Sequence, residues 1–255
     1  MSKNKNNKDQ MSIVKFVIPT MLSLLAICCG VSAIRYSYSG NFILASSLIL
    51  IASFIDGIDG RIARFLNAAS TFGAEMDSLA DVINFGVAPG FVVYCWKMNE
   101  IGIDVVAWFV VLLMACCMAI RLARFNADLT TKDQNDPLVK YFFKGIPAPA
   151  AALLTIWPLV LFFRFGQGIW SEPIFVIANT TILALLAGST IPTPCFKKVK
   201  VPTGFKNLVL IISAMFVITL ILDPWMALSI LGTLYLISIV IGLFFYLHFK
   251  RQKSK

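Results

Sequence analysis

Four aspartates stand at helical spacing within a short part of the chain, and this arrangement suits metal chemistry. Asp56 and Asp59 are three residues apart, and Asp77 and Asp81 are four apart. Residues at these separations lie on one face of a helix, so each pair predicts two carboxylates that point the same way. A short connection at residues 66–72 would make the two helices antiparallel neighbours. The four carboxylates would then face one another across the gap.

Four carboxylates at close range repel one another unless protons or cations neutralise them. They are hard oxygen ligands of the kind that Mg²⁺, Mn²⁺ and Ca²⁺ prefer. Four of them could hold two ions, an arrangement that clamps a phosphorus centre during in-line displacement. The chain has one histidine, His248, and its six cysteines form no CxxC pair. We therefore expect any bound metal to have oxygen ligands.

Small residues and one arginine accompany the aspartates. A glycine inside a helix costs about 1 kcal/mol relative to alanine, and small residues let a ligand or another backbone approach closely. Arginine offers planar donors that match phosphate oxygens. This pattern indicates a surface that accepts a phosphate-containing ligand. The residues concerned are Gly57, Gly60, Ala63, Arg64 and Gly73.

The composition indicates an integral membrane protein. The chain is 58% hydrophobic and 14% charged, with a mean hydropathy of +0.82, whereas soluble domains carry roughly 25% charged residues. A spanning helix needs about 20 mostly apolar residues. The fold class predicted is all-α, polytopic, with about eight transmembrane helices. Stretches without Asp, Glu, Lys or Arg occupy residues 16–34, 36–55, 82–96, 105–120, 145–163, 173–196, 207–222 and 224–247.

The basic residues predict the orientation. With the N-terminus inside, only Arg35, Lys97 and Arg164 of the 22 Lys and Arg residues lie outside, which leaves 19 on the cytoplasmic side. Cytoplasmic loops carry such an excess, so we expect both termini and the aspartates in the cytoplasm, with an uncleaved first span. The net charge of +9 then suits anionic lipid head groups. No basic stripe with interleaved aromatic residues indicates nucleic-acid binding.

The stretch from Asp56 to Asp81 reads D-x-x-D-G-x-x-A-R-x8-G-x-x-x-D-x-x-x-D. It resembles the signature of the CDP-alcohol phosphotransferase family, with all eight defined positions filled. The resemblance implies a membrane fold with a six-helix core, a nucleotide-lipid donor and two divalent cations, Mg²⁺ or Mn²⁺. Composition and resemblance together predict three regions: a basic cytoplasmic segment at residues 1–15, the membrane core at 16–200, and two further helices with a basic tail at 201–255.

The resemblance also implies roles for individual residues. Asp56, Asp59 and Asp77 correspond to metal ligands, and Asp81 to the general base, also near the metals. In this family the first helix often carries Pro-Asn-x-x-Thr near the nucleotide, where this chain has Pro19-Thr20-Met21-Leu22-Ser23. The residues that correspond to nucleotide or diphosphate contacts are Ser23, Gly57, Gly60, Ala63, Arg64 and Gly73.

Three further stretches point to a subfamily. They are "FGVAP" at residues 85–89, "RLARFN" at 121–126 and "FKGIPAPAAA" at 143–152. Together they resemble the bacterial and archaeal phosphatidylserine synthases of the family. The resemblance implies transfer of the phosphatidyl group from CDP-diacylglycerol to the hydroxyl of L-serine, which releases CMP. The cationic and amide side chains expected to bind the acceptor are Arg121, Arg124, Asn126 and Lys144.

Two alternatives stay open at this point. The same chemistry with another alcohol, such as glycerol 3-phosphate or inositol, fits the aspartate motif equally well. An ion-coupled transporter also places aspartates in membrane helices, but it would hold them near the bilayer midplane in repeated halves. The family resemblance further implies a homodimer, and we expect the inner membrane of a bacterium as the location.

Overall fold

The computed structural model describes residues 2–65, 71–130, 142–194 and 206–253, with side chains within 17–62, 71–127, 145–191 and 207–242 and at Phe65. Within these ranges the chain consists of helices and one short pair of strands. The helices are α1 (Ser2–Tyr38), α2 (Phe42–Phe65), α3 (Thr71–Asp81), α4 (Ala88–Trp96), α5 (Asp104–Thr130), α6 (Ala148–Phe165), α7 (Pro173–Gly188), α8 (Lys206–Leu222) and α9 (Pro224–Lys253). A π-helical turn, Val82–Val87, joins α3 to α4, and 3₁₀ turns occupy Met98–Ile101 and Ile169–Ser171.

Six helical segments of the described chain are long and apolar enough to cross a membrane. They are Val17–Tyr38, Phe42–Ile62, Thr71–Trp96, Asp104–Ala127, Ala148–Phe165 and Pro224–Gly242. Two shorter apolar helices, Pro173–Gly188 and Asn207–Leu222, bring the number of apolar segments to eight. The prediction of an all-α, multi-pass membrane protein is therefore confirmed. The α3–α4 pair counts as one segment because the π-helical turn keeps it continuous.

The helices pack into one bundle with two buried clusters of side chains. Helix α1 lies along α2 and also contacts α3 and α4, while α5 packs against α7 and α6 packs against α9. Gly86 and Gly90 form a GxxxG pair: a Cβ on Gly86 would lie 3.0 Å from Met118 Cβ, and one on Gly90 would lie 3.5 Å from Val111 Cγ1. Small residues at such an interface let helices approach closely in a membrane.

The connections at one end of the bundle are short and tied to the helices. Proline is favoured at the first helical position because its missing N–H would be unpaired there anyway, and Pro173 and Pro224 begin α7 and α9. Asp223 Oδ1 accepts a hydrogen bond from Met226 N at 3.0 Å, and Asp223 Oδ2 forms a 2.7 Å ion pair with Arg164 Nε. The end of α6 is thus linked to the start of α9.

The two strands lie at the opposite end of the bundle, where α2, α5 and α7 finish. Strand β1 (Phe142–Lys144) pairs antiparallel with β2 (Pro192–Pro194). The next residue, Gly145, donates its N–H to Ile191 O at 2.9 Å and has φ +76°. The strand pair was not predicted, because strands of three residues carry no alternating pattern and β2 contains two prolines. It joins the segment before α6 to the segment after α7.

Helix α8 differs from the others because its described side chains are almost all exposed. Leu210, Ile221 and Leu222 are among the most exposed apolar residues of the chain, and α8 packs mainly against α9. Lipid tails are as apolar as leucine, so such a surface is compatible with a bilayer. Helix α9 in turn contacts α6 and β2, which brings it near the end of the bundle that holds the aspartates.

Candidate active site

Three aspartates from two helices bring their carboxylates together near the end of α2. One oxygen each from Asp56, Asp59 and Asp77 lies within 4.8 Å of the other two. Asp59 is only 4% exposed, whereas Asp56 and Asp77 are half-buried. These three residues, the aspartate cluster, combine the first pair of the motif with the first residue of the second pair. The structure thus brings them together across the gap between helices, as their spacing predicts.

Asp81 lies one helical turn after Asp77 and extends the cluster. Its carboxyl group is within hydrogen-bonding reach of the carboxyl group of Asp56. Two ionised carboxylates repel each other, so a proton or a cation must lie between them. Asp81 also interacts electrostatically with the guanidinium of Arg121 on α5. The fourth aspartate therefore interacts both with the cluster and with a cation.

Ser23 on α1 lies behind Asp59. Its hydroxyl is 3.3 Å from Asp59 Oδ2 and 3.2 Å from the carbonyl oxygen of Pro19, and the residue is buried. A serine hydroxyl has one proton to donate, so it bonds to one of these acceptors at a time. The resemblance implies a nucleotide contact for Ser23. In the structure its hydroxyl reaches Asp59, a predicted metal ligand, and the nucleotide contact stays a prediction.

The aspartate cluster has the donor atoms and the spacing that a divalent cation requires. Carboxylate oxygens are hard ligands that lie roughly 2.0–2.1 Å from Mg²⁺ and roughly 2.3–2.6 Å from Ca²⁺, so two oxygens on opposite sides of one ion are about 4–5 Å apart. No two of the three oxygens are more than 4.8 Å apart, which is an upper limit of the same size. The cluster is therefore compatible with a divalent metal.

The glycines beside the cluster leave one face of α2 open. Gly57 and Gly60 are exposed, and a Cβ built on either would have no neighbouring atom of the described residues within 4 Å. This space favours the approach of a ligand over the packing of another helix. Gly73 is half-buried near the start of α3. Ala63 and Arg64 belong to the α2 backbone, but their side chains lie outside the described part.

The two arginines predicted to bind the acceptor have different surroundings. Arg121 is half-buried and faces Asp81, and its Nε is buried without a hydrogen-bond partner among the described residues. Arg124 donates from Nη2 to Gly188 O at 2.9 Å and from Nη1 to Ser189 O at 3.1 Å. The structure thus directs Arg121 towards the aspartates and Arg124 towards the carbonyl groups at the end of α7.

The other two predicted acceptor residues, Asn126 and Lys144, also have different surroundings. Asn126 donates from Nδ2 to Ser78 Oγ at 2.9 Å, which links α5 to the turn of α3 between Asp77 and Asp81. The backbone of Lys144 belongs to β1, where it pairs with Pro192, but its side chain lies outside the described part. Of the four candidates, Arg121 has the clearest connection to the aspartates.

Tyr235 on α9 lies near the site although no sequence motif indicated it. It is half-buried and interacts electrostatically with Arg121. It also lines an apolar cavity of about 170 Å³ between α2, α6 and α9. A buried tyrosine usually finds a hydrogen-bond partner for its hydroxyl. A tyrosine in a membrane helix therefore indicates a polar contact of some kind. The sequence does not show which partner it meets.

Comparison with known proteins gives the family. The model of the CDP-alcohol phosphatidyltransferase family matches residues 16–188, the six apolar segments from α1 to α7. A CDP-diacylglycerol–serine O-phosphatidyltransferase of Mycobacterium leprae is 37% identical over 88% of this chain and 73% of its own length. One of Helicobacter pylori is 40% identical over 87% of this chain and 89% of its own length.

An archaeal relative extends the range of these matches. The archaetidylserine synthase of Methanothermobacter thermautotrophicus is 35% identical over 55% of this chain and 57% of its own length. The family match covers more than half of the chain and includes all four aspartates and the helices that hold them. This chain belongs to the CDP-alcohol phosphatidyltransferase family.

Proposed function

We propose that this protein transfers the phosphatidyl group of CDP-diacylglycerol to the hydroxyl of L-serine, which gives phosphatidylserine and CMP. The observation that carries the proposal is the aspartate cluster, with three carboxylate oxygens within 4.8 Å, in a chain with this family membership. The names of the relatives from Mycobacterium leprae and Helicobacter pylori specify serine as the acceptor. The name of the archaeal relative specifies archaetidylserine as the product. These names favour serine over glycerol 3-phosphate or inositol.

The metals belong to this proposal. Asp56, Asp59, Asp77 and Asp81 would together hold two divalent cations, Mg²⁺ or Mn²⁺. When bound, the cations would neutralise the diphosphate and polarise the phosphorus that carries the lipid. The close approach of Asp81 to Asp56 supports this, since the two carboxylates need a cation or proton between them.

Asp81 is the proposed general base. The serine hydroxyl oxygen attacks the phosphorus attached to diacylglycerol, its proton passes to the Asp81 carboxylate, and the bond between that phosphorus and the bridging oxygen breaks. CMP leaves with that oxygen. General-base assistance contributes typically about 10²–10⁴-fold to rate. The position of Asp81 at the edge of the cluster, next to Arg121, supports a role in both metal binding and proton transfer.

The donor and acceptor occupy different sides of Asp81 in this proposal. The open surface at Gly57 and Gly60 would receive the cytidine nucleotide, with Arg64 at the diphosphate and Ala63 and Gly73 completing the surface. Arg121 would pair with the carboxylate of serine. The contacts of Arg124 and Asn126 with α7 and α3 support indirect roles for them, in which they hold α5 in place.

The proposed location is the bacterial inner membrane, with both termini and the aspartates in the cytoplasm. In this orientation 19 of the 22 Lys and Arg residues lie on the cytoplasmic side and three on the outer side. Such an excess of basic residues inside is typical of membrane proteins and supports the orientation. Serine and CMP are soluble in water, while the acyl chains can stay in the bilayer throughout. The proposal includes a homodimer, which mass measurement of the protein in detergent tests.

The direct test measures CMP release from CDP-diacylglycerol by the detergent-solubilised protein with Mn²⁺ or Mg²⁺. Serine, glycerol 3-phosphate and inositol are offered separately. We expect release with serine, loss of release in EDTA, recovery on adding back the metal, and loss in Asp81→Asn. Glu75→Gln, which changes an exposed acid on the same helix, is the control and should remain active.

Each other outcome has a clear meaning. Release with inositol or glycerol 3-phosphate instead of serine would retain the phosphatidyl transfer and overturn the acceptor. Release that EDTA does not affect would overturn the metal site. No release with any alcohol would overturn the proposed phosphatidyl transfer and favour the alternative of an ion-coupled transporter.

A further inference from the structure

Helix α3 carries Asp77 and Asp81 but buries little of its own surface. Of its 11 residues only Ala80 is buried, and the helix packs mainly against α1 and the π-helical turn that follows it. The groups of a functional site must be held within about 0.5 Å of their working positions. A helix with one buried residue therefore depends on further contacts to fix its two aspartates.

One such contact is a side-chain hydrogen bond from α5. Asn126 Nδ2 donates to Ser78 Oγ at 2.9 Å, and Ser78 Oγ donates to the carbonyl oxygen of Ala74 at 3.0 Å. A serine hydroxyl has one proton, and because Ala74 accepts it, the Ser78 oxygen is left to accept from Asn126. The two hydrogen bonds are compatible, and they form a chain from α5 into the backbone of α3.

The place of Ser78 on α3 connects this chain to the predicted metal ligands. Ser78 directly follows Asp77 and precedes Asp81 by three residues, so it lies in the single helical turn that joins the two aspartates. Asp77 belongs to the aspartate cluster, whose oxygens lie within 4.8 Å of one another. A hydrogen bond that fixes this turn against α5 therefore also fixes the backbone from which both carboxylates project.

The hydrogen bond continues the packing of α5 along the α3–α4 segment. Nearer the middle of the bundle, a Cβ added to Gly86 would lie 3.0 Å from Met118 Cβ on α5. Asn126 follows Met118 by eight residues, and Ser78 precedes Gly86 by eight residues, so the two pairs share one antiparallel register. The close packing at Gly86 sets the distance between the helices, and the hydrogen bond fixes their register at the end that holds the aspartates.

We propose that Asn126 is a positioning residue for metal binding, which acts through Ser78 to hold the Asp77–Asp81 turn of α3 against α5. This inference rests on the metal site of the proposed function, and it gives Asn126 a role other than contact with the acceptor. Ligands that are already in place lose less freedom when the cation binds, so the hydrogen bond raises metal affinity. Asn126 itself touches neither metal nor substrate.

Mn²⁺ binding by the detergent-solubilised protein, followed through the electron paramagnetic resonance of free Mn²⁺, measures this effect without catalysis. Asn126→Leu removes the donor at similar volume, and Ser78→Ala removes the acceptor. We expect each variant to raise the dissociation constant for Mn²⁺ roughly tenfold. Ser78→Thr keeps the hydroxyl and should retain the wild-type affinity. The KM for serine at saturating Mn²⁺ should change by less than about twofold in all three.

The matched control is Asn179→Leu, the same substitution at another hydrogen bond between helices. Asn179 Nδ2 donates to the carbonyl oxygen of Leu154 at 3.1 Å, near the middle of α7 and away from the aspartates. Asn179→Leu should lower the midpoint of thermal denaturation without changing the dissociation constant for Mn²⁺. In a double-mutant cycle, Asn126→Leu and Ser78→Ala together should bind Mn²⁺ no more weakly than either change alone.

Three outcomes would overturn the inference and leave the proposed function intact. The first is an unchanged Mn²⁺ affinity in Asn126→Leu and Ser78→Ala, and a raised KM for serine beside it would favour the acceptor contact predicted for Asn126. The second is an equal loss of affinity in Asn179→Leu, which would mean a general loosening of the bundle. The third is a multiplication of the two effects in the double variant, which would exclude action through Ser78.

Two further outcomes separate the inference from the proposed function. A wild-type protein that binds Mn²⁺ but releases no CMP, with weaker Mn²⁺ binding in both variants, would overturn the transfer and support the role of Asn126. A wild-type protein that does not bind Mn²⁺ would overturn the metal site and this inference together.

Discussion

At the scale of single residues, the aspartate cluster depends on groups that hold its carboxylates in place. Asp59 is the most buried of the three, and the hydroxyl of Ser23 reaches its Oδ2 from α1. A hydrogen bond to a metal-ligating carboxylate fixes its orientation, and loss of such a bond typically costs about 10–100-fold in metal affinity or activity. Ser23 is therefore expected to act through Asp59.

The variant Ser23→Ala tests this expectation. We expect the Mn²⁺ concentration for half-maximal CMP release to rise about tenfold or more, while kcat at saturating Mn²⁺ stays within a few-fold of the wild-type value. The control Ser47→Ala removes a hydroxyl that donates to the backbone carbonyl of Ile43 at 2.8 Å, far from the cluster. An unchanged Mn²⁺ requirement in Ser23→Ala, with a raised KM for CDP-diacylglycerol, would instead support the nucleotide contact.

The sequence predicted the aspartates well because helical periodicity converts spacing directly into shared faces. Asp56, Asp59 and Asp77 meet as that rule requires. The surroundings of Arg121 could not be predicted in the same way. Tyr235 comes from a helix more than 100 residues along the chain from Asp81, and no local pattern specifies which helices pack together.

At the scale of elements, the end of α7 is where several segments of the chain meet. Arg124 on α5 donates to the carbonyl oxygens of Gly188 and Ser189. The last carbonyl groups of a helix have no partner within the helix, and a cation there is also favoured by the helix dipole. Arg124 thus ties α5, which carries Arg121, to α7.

Replacement of Arg124 should lower the stability of the fold and leave substrate binding by the folded protein unchanged. We expect Arg124→Gln to lose about 1–3 kcal/mol of stability, because a hydrogen-bonded charge is removed from partly buried carbonyl groups. Thermal denaturation in detergent should show a lower midpoint, with the KM for serine of the folded fraction unchanged. The control Arg35→Gln changes an exposed arginine and should leave the midpoint unaltered. A normal midpoint with a raised serine KM would return Arg124 to the acceptor site.

Gly145, which follows β1, meets the same end of α7. Its φ of +76° disfavours other residues, and an added Cβ would lie 3.0 Å from the carbonyl oxygens of Ala187 and Ser189. We expect Gly145→Ala to destabilise the protein by more than the roughly 1–3 kcal/mol of backbone strain alone. Gly102 is the control, since its backbone is left-handed with φ +79° and ψ −3° but no described atom lies within 4 Å of an added Cβ.

Thermal denaturation of the two glycine variants decides between strain and crowding. The midpoint should fall further for Gly145→Ala than for Gly102→Ala. Equal shifts would mean that the carbonyl groups move aside and that only the backbone conformation matters at Gly145.

The helices were predictable because long apolar stretches have few alternatives in a membrane. The π-helical turn Val82–Val87 was not predictable, since its apolar residues would equally form an α-helix and the wider turn arises from packing. The same holds for the strand pair, whose register depends on where α6 begins and α7 ends. The local sequence therefore predicts the helices, whereas the π-helical turn and the strand pair depend on tertiary contacts.

At the scale of the whole molecule, charge and apolar surface fix how the bundle lies in a membrane. Arg35, Lys97 and Arg164 all lie near the end opposite the aspartates, and Lys97 and Arg164 form ion pairs with Glu100 and Asp223 there. Basic residues concentrate on the cytoplasmic side of membrane proteins, so the aspartate end is expected to face the cytoplasm. This orientation gives the site access to soluble serine.

Cysteine labelling in intact bacterial cells tests the orientation. In a variant that lacks the six native cysteines, Gln167→Cys introduces a thiol at an exposed position between α6 and α7, and Thr71→Cys introduces one at the exposed start of α3. A membrane-impermeant maleimide should label Gln167→Cys in intact cells and Thr71→Cys only after permeabilisation. The cysteine-free parent and a soluble cytoplasmic reporter control for background and leakage.

The reverse labelling pattern would place the aspartates on the outer side, away from serine in the cytoplasm. The orientation and the choice of acceptor would then fail together, because neither the charge bias nor access to serine could be reconciled with the site. Labelling of both positions in intact cells with an unlabelled reporter would indicate a mixed orientation. In that case the excess of basic residues on the aspartate side, 19 against three, would not be enough to specify one topology.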